Sequence, residues 1–164
     1  ILTPTYMVVS PRTMEKELFV DADAFVALVD SKDSNHKLAV AVSSVASAVG
    51  CGTVTSDPAF GEAITVISQN VGHAAAVNFA NEILNSQVEI VEVDTKLRNQ
   101  AFEVFKNQAS KNSRFTDMVN IAILKERNKQ EIFSFDADYK KNGFLRIGID
   151  TKLEGEVVDE EKKE

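Results

Sequence analysis

Short apolar runs rich in β-branched and aromatic residues alternate along this chain with longer stretches of helical period. Leu18-Phe19-Val20 predicts a strand over about 17–21, and similar runs predict strands at 53–55, 88–93, 132–135 and 144–147. Between them the apolar positions recur every three or four residues. A short helix is expected over about 24–30, then one capped by Ser34 that runs to Ala48 and carries Leu38, Val42, Val45 and Val49. Gly50-Cys51-Gly52 breaks that helix. The pair Asp57-Pro58 opens another, with Ser56 or Asp57 as cap and Pro58 at the first helical position. Further helices are expected over about 73–84, after Asp94 (with Leu97, Ala101 and Val104), and from Thr116 or Asp117 (with Met118, Ile121, Ala122 and Leu124 inward). A polar loop at 107–114 precedes the last of these, and a one-turn element separates the fourth strand from the fifth.

Strands alternating with helices predict an α/β fold: a three-layer α/β/α sandwich around a five-stranded, mainly parallel sheet. If the fourth strand returns beside the first, the strand order is 3-2-1-4-5, and the first and fourth strands flank the crevice where such sheets bind ligands. The folded domain is expected over residues 14–149. Residues 1–13 read as a loose leader, with Met14 as the natural start and the leader vector-derived or an upstream extension. Residues 150–164 read as an acidic, mobile tail.

Composition adds limits. One cysteine, Cys51, excludes an intramolecular disulfide and fits an intracellular, cytoplasmic protein in which it serves as a small buried hydrophobe. No apolar run reaches the length of a membrane span, so no membrane partner is expected. The formal net charge is -7; the last 14 residues hold six acids and three lysines, contributing -3 and leaving -4 for the rest. That balance disfavours charge-driven binding to long nucleic acid, although carboxylates gathered around a metal would lower the net charge in a nuclease too.

The chemistry concentrates at strand–helix junctions. Asp21 and Asp23 follow the first strand, Asp136 and Asp138 follow the fourth, and Glu62 and Asp117 sit near the starts of two helices. Acids gathered at one crevice repel each other and take up protons unless a cation lies among them, and oxygen donors without His or Cys suit a hard divalent ion. His36 and His73 fall in helices away from these junctions. Each acid also has a plain structural reading. Asp117 suits a helix start, Asp136 and Asp138 suit a turn, and Glu62 suits a solvated helix face. Glu62 is nevertheless the lone Asp, Glu, Lys or Arg between Pro58 and Asn81. Asp21 is the hardest to explain structurally, because an acid ending a buried strand needs a partner to offset its desolvation.

Leu-Phe-Val-Asp21, Phe-Gly-Glu62-Ala-Ile, Phe-Thr-Asp117-Met-Val-Asn-Ile-Ala and Phe-Ser-Phe-Asp136-Ala-Asp-Tyr-Lys-Lys-Asn-Gly-Phe together resemble the four acidic motifs of PIN-domain nucleases, in particular the VapC-type toxins of toxin–antitoxin pairs. The resemblance covers about residues 16–149. It implies a metal-dependent endoribonuclease, often a homodimer, held inactive by a cognate antitoxin. Asp21, Glu62, Asp117 and Asp136 would hold one or two Mg²⁺ or Mn²⁺, with Asp138 and Asp23 as further ligands directly or through water. The metal would activate water and stabilise charge on the phosphate during in-line attack, leaving 5′-phosphate and 3′-hydroxyl ends. Ser134 would orient a ligating carboxylate, and Lys111 and Arg114 would contact the RNA. The family more often has Ser, Thr or Asn where Asp23 stands.

Two other functions compete. Asp21-Ala22-Asp23 also resembles the opening motif of haloacid-dehalogenase-like phosphatases, with Asp21 as nucleophile. That reading leaves Glu62 and Asp117 without a task, and Phe25 departs from its pattern. The other is an inactive PIN scaffold that binds a protein partner, for which four acids in one crevice would serve no purpose.

Overall fold

In the computed structural model the described residues are 8–9 and 17–154. In chain order the elements are β1 (Val8–Val9), β2 (Glu17–Phe19), α1 (Ala22–Val29), α2 (His36–Ala48), β3 (Gly52–Ser56), α3 (Asp57–Asn70), α4 (His73–Leu84), β4 (Glu89–Val91), α5 (Thr95–Asn107), α6 (Phe115–Glu126), β5 (Glu131–Ile132), α7 (Ala137–Lys141), β6 (Leu145–Arg146) and β7 (Leu153–Glu154).

The central strands are parallel. β3 lies between β2 and β4, with Phe19 opposite Val54 and Thr55 opposite Ile90. β5 and β6 form a second parallel pair. The two pieces meet at one bridge, Val20 to Phe133, where the Phe133 N–H donates to the Phe19 carbonyl at 2.9 Å and the Asp21 N–H to the Phe133 carbonyl at 3.0 Å. The continuous five-stranded ladder expected from the apolar runs is therefore a three-stranded sheet and a two-stranded one, stitched at their shared edge. β3 extends one residue beyond the expected 53–55 at each end, whereas the other strands are shorter than those runs; beyond Val20 and Phe133 the chain turns away to build the site.

Alternation along the strands sorts side chains to two faces. Leu18, Val20 and Phe133 pack with α1, α2, α3 and α4 in one core, whereas Phe19, Val54 and Ile132 pack with α5, α6 and α7 in the other. Helices thus cover both faces, as the alternation of elements predicted. On the first face the Phe25 and Phe79 rings lie 5.3 Å apart in a tilted arrangement that fixes α1 against α4. At the opposite end of the strands from the site, the Arg127 guanidinium, just past α6, pairs with Glu17 at 3.0 Å and also with Glu89, tying α6 to β2 and β4.

Helix starts follow their capping chemistry. Ser56 caps α3 by accepting from the Ala59 N–H at 3.2 Å, with Pro58 in the first turn, and Asp94 caps α5 by accepting from Leu97 at 2.7 Å. The second helix differs from expectation: its cap position is Asn35, one past Ser34, with no side-chain capping bond. Gly143, at φ +89°, adopts the left-handed turn that closes α7 and feeds the chain into β6.

β1 pairs antiparallel with β7, so pieces of the expected leader and tail meet one another. The expected boundary at residue 150 also falls within ordered contacts. The Asp150 carboxylate receives hydrogen bonds from Arg146 and an ion pair from Lys140, which hold it below the usual carboxylate range. Residues 1–7, 10–16 and 155–164, which make up most of the leader and tail, lie outside the described residues. No helix among the described residues is long and apolar enough to cross a membrane.

Candidate active site

The acids converge at the carboxyl ends of β2 and β5, the rim where parallel sheets place their ligands. Asp21 ends the first strand and caps α1, accepting from the Ala22 N–H at 2.8 Å. The helix accordingly begins two residues earlier than its apolar pattern suggests, with Asp23 in its first turn. Asp117 is the third residue of α6, whose cap position is Arg114; its Oδ2 accepts from the Arg114 N–H at 3.0 Å. The helix thus starts at Phe115, one residue before Thr116 and two before Asp117. Asp136 caps α7 by accepting from Asp138 N–H at 2.8 Å. Glu62, in the second turn of α3, pairs with the Arg114 guanidinium.

A polar lattice holds these carboxylates from beneath. Asn120, fully buried in α6, donates from Nδ2 to Asp21 Oδ1 at 2.9 Å and to the Tyr139 hydroxyl at 2.8 Å. Its Oδ1 accepts from the Ser56 hydroxyl at 2.6 Å. Tyr139 in turn donates to Asp117 Oδ1 at 3.4 Å. On the other side the Ser134 hydroxyl lies 3.1 Å from Asp21 Oδ2 and 3.1 Å from Asp23 Oδ2, and the Phe135 N–H donates to that Asp23 oxygen at 2.8 Å. Ser134 has a single proton for the two carboxylates. Asp23 Oδ1 is buried with no hydrogen-bond partner.

The electrostatics match a site built for a cation. Burial, reinforced by the neighbouring Asp23 carboxylate, pushes Asp21 up from its ordinary value to about 8. Burial likewise raises Asp23 to about 6, against the hydrogen bonds from Phe135 and Ser134. Asp117 is raised by burial, with Asp136 and Glu62 adding repulsion and the Arg114 N–H and charge opposing it. A group of carboxylates that holds protons near neutral pH is short of positive charge. An all-oxygen donor set with an unpartnered, buried carboxylate oxygen fits a hard divalent ion such as Mg²⁺ or Mn²⁺. In the side-chain arrangement seen here, no group of three or more His, Cys, Asp or Glu among the described residues is close-set enough to hold a metal.

Asp138, nominated by its position two residues after Asp136, faces elsewhere. Its carboxylate accepts from the Ser113 hydroxyl at 2.7 Å and pairs with Lys141 at 2.6 Å, and these partners lower its pKa. Lys111 is exposed in the turn before α6. His36 donates from Nδ1 to the Ala27 carbonyl at 2.7 Å, anchoring α2 to α1. Asn120 and Tyr139 carry parts that the acidic motifs do not announce. The available signal was a lone amide inside the apolar run Met118–Leu124, a polar group that burial obliges to find partners.

The comparisons with known proteins point to one family. The family model of the PIN domain matches residues 18–145. The 23S rRNA-specific endonuclease VapC20 of Mycobacterium tuberculosis is 28% identical over 130 residues, covering 79% of this chain and 97% of that protein. The crystal structure of the same organism's VapC20, described as a sarcin–ricin loop cleaving toxin, matches with a TM-score of 0.70 at 27% identity over 79% of this chain and 98% of that one. VapBC2 from Rickettsia felis, solved with a promoter DNA fragment, shares the fold at 12% identity and a TM-score of 0.55. The phosphatase-like reading of Asp21-Ala22-Asp23 finds no support in these matches. With its acids at the carboxyl ends of a parallel sheet and a family match spanning all four motifs, this chain belongs to the PIN-domain family.

Proposed function

We propose that this protein is a metal-dependent endoribonuclease of the VapC type, acting on a structured RNA. The observation that carries the reading is the convergence of Asp21, Glu62, Asp117 and Asp136, from four separate segments, on one rim where their main counter-charge is Arg114. Asp21, Asp117, Asp136 and Glu62 would hold Mg²⁺ or Mn²⁺, with Asp23 as a further oxygen donor. When bound, such an ion activates water and neutralises charge on the scissile phosphate. Asn120, Ser134 and Tyr139 fix the directions of the Asp21 and Asp117 carboxylates, so that little reorganisation accompanies loading. Arg114, beside the acids, and Lys111, exposed in the turn before α6, would supply contacts to the RNA backbone. Asp138, engaged with Ser113 and Lys141, has a supporting part in this reading: it anchors the loop that carries those two cations.

VapC20 is a toxin that cleaves the sarcin–ricin loop, so a ribosomal RNA stem-loop is the first substrate class to test here. An antitoxin protein and a homodimer complete the proposal. The α3–α4 face, with its groove of about 460 Å³ lined by small residues such as Ala76 and Ala80, is the surface offered to the second copy.

The test is cleavage of ribosomal RNA with Mn²⁺ by wild-type and Asp117→Asn protein. Discrete fragments with 5′-phosphate ends that vanish with EDTA and in the variant establish the nuclease. Folded protein that binds no Mn²⁺ and cuts neither ribosomal nor total RNA would instead favour a scaffold.

A further inference from the structure

The sequence nominates Arg114 as an RNA contact, yet its guanidinium reaches into the acids. Nη1 donates to Glu62, and the cation also feels Asp117, Asp136 and Asp21. The Arg114 charge opposes the rise of Asp117, whereas Arg146, the cation that feels Asp136 and Asp23, is already held by the Asp150 carboxylate. It is also placed to move. The Arg114 side chain is 64% exposed whereas Glu62 is 21% exposed, so the anion is held within the site and the cation reaches it from solvent. The backbone beneath is fixed independently, because the Arg114 N–H is bound to Asp117 Oδ2.

We propose that Arg114 is an exchangeable counter-cation: it occupies the charge position of the divalent ion at Glu62, is displaced when that ion binds, and then serves the RNA phosphate. The proposal rests on the nuclease reading above and adds to it a competition. A guanidinium and a divalent ion cannot both neutralise the same Glu62 carboxylate, since each would repel the other at close range. Metal binding therefore opens the pair and releases a planar, always-charged group suited to phosphate oxygens. The exchange couples loading with metal to readiness for substrate, and Glu62 is committed to the metal only after Arg114 has left.

Calorimetric Mn²⁺ titration of the purified protein tests this without relying on activity. Arg114→Met should bind Mn²⁺ about fivefold or more tightly than wild type, because the competitor is gone. In a Glu62→Gln background the same substitution should have a much smaller effect, since the anion they compete for is absent. At saturating Mn²⁺ the variant should raise KM for RNA more than it lowers kcat. Unchanged or weaker Mn²⁺ binding by folded Arg114→Met would overturn the exchange, as would an equal effect in the Glu62→Gln background. Arg114→Lys, which keeps the charge and the helix start, guards against misfolding; it should stay within about twofold of wild-type Mn²⁺ affinity, and tightening equal to that of Arg114→Met would also overturn the proposal. Wild-type protein that binds no Mn²⁺ would sink the nuclease reading itself, whereas Mn²⁺ binding indifferent to Arg114 would sink the exchange alone.

Discussion

Asn120 and Asp21, 99 residues apart in the chain, are joined by a buried hydrogen bond of 2.9 Å beneath the site. The amide is fully buried and spends its remaining valences on Ser56 and Tyr139. One side chain thus registers α6, β2, α3 and α7 against each other, and all four bear site carboxylates or lie next to them.

Asn120→Ala strips three buried partners at once and leaves a void. The expected cost is about 2–4 kcal/mol of stability, read from urea denaturation. RNA cleavage at a temperature where the variant remains folded should fall by about tenfold or more, because the Asp21 carboxylate loses its fixed direction.

Tyr139→Phe isolates the polar part of the same lattice, since ring packing is retained and only the hydroxyl between Asn120 and Asp117 is lost. Stability should drop by about 1–2 kcal/mol. The Mn²⁺ affinity should weaken several-fold with the fold unchanged by circular dichroism. Identical affinity would mean that Tyr139 does not position Asp117.

The raised Asp21 carboxyl makes a signed statement about pH. Its folded value of about 8 lies above the ordinary 3.8, so the metal-free folded state binds more protons than the unfolded one across that window. Stability contributed by the neutral form is therefore present below about pH 4 and is lost as pH rises towards 8. Metal binding needs the ionised carboxylate and runs the other way. Thermal unfolding with and without Mn²⁺ should show a metal-dependent rise in Tm that grows from pH 6 to pH 8.5. Asp21→Asn should flatten the metal-free pH profile, abolish the Mn²⁺ response and eliminate cleavage.

A second carboxylate far from the rim provides an internal control. Burial of Glu131, at the start of β5, raises it from 4.5 to about 7. By the same sign, its neutral form favours the folded state at low pH, and this contribution fades between about 4.5 and 7. Glu131→Gln should remove that decline in Tm while leaving the Mn²⁺ response and RNA cleavage intact. A lost Mn²⁺ response would show that the two ends of the sheet are coupled.

Much of this architecture is legible in the residue order. Apolar runs of strand length and helical periods specify an α/β sandwich, because side-chain burial imposes the two periodicities directly on the residue order. The junction acids Asp21, Glu62, Asp117 and Asp136 are legible for the same reason, since a charge beside a buried strand or in an uncharged helix stands out against its neighbours. Packing alone decided what each polar group faces. Asp138 matches Asp136 in residue type and lies only two residues on, yet its place in the first turn of α7 aims it at Ser113 and Lys141. Arg114 reads as a loop cation until α3 brings Glu62 to it across 52 residues. Asn120 reads as a break in an apolar stripe until β2 and α7 close over it. Local pattern constrains which face of an element is buried, whereas long-range hydrogen bonds and ion pairs depend on the relative placement of elements, which no single stretch of chain encodes.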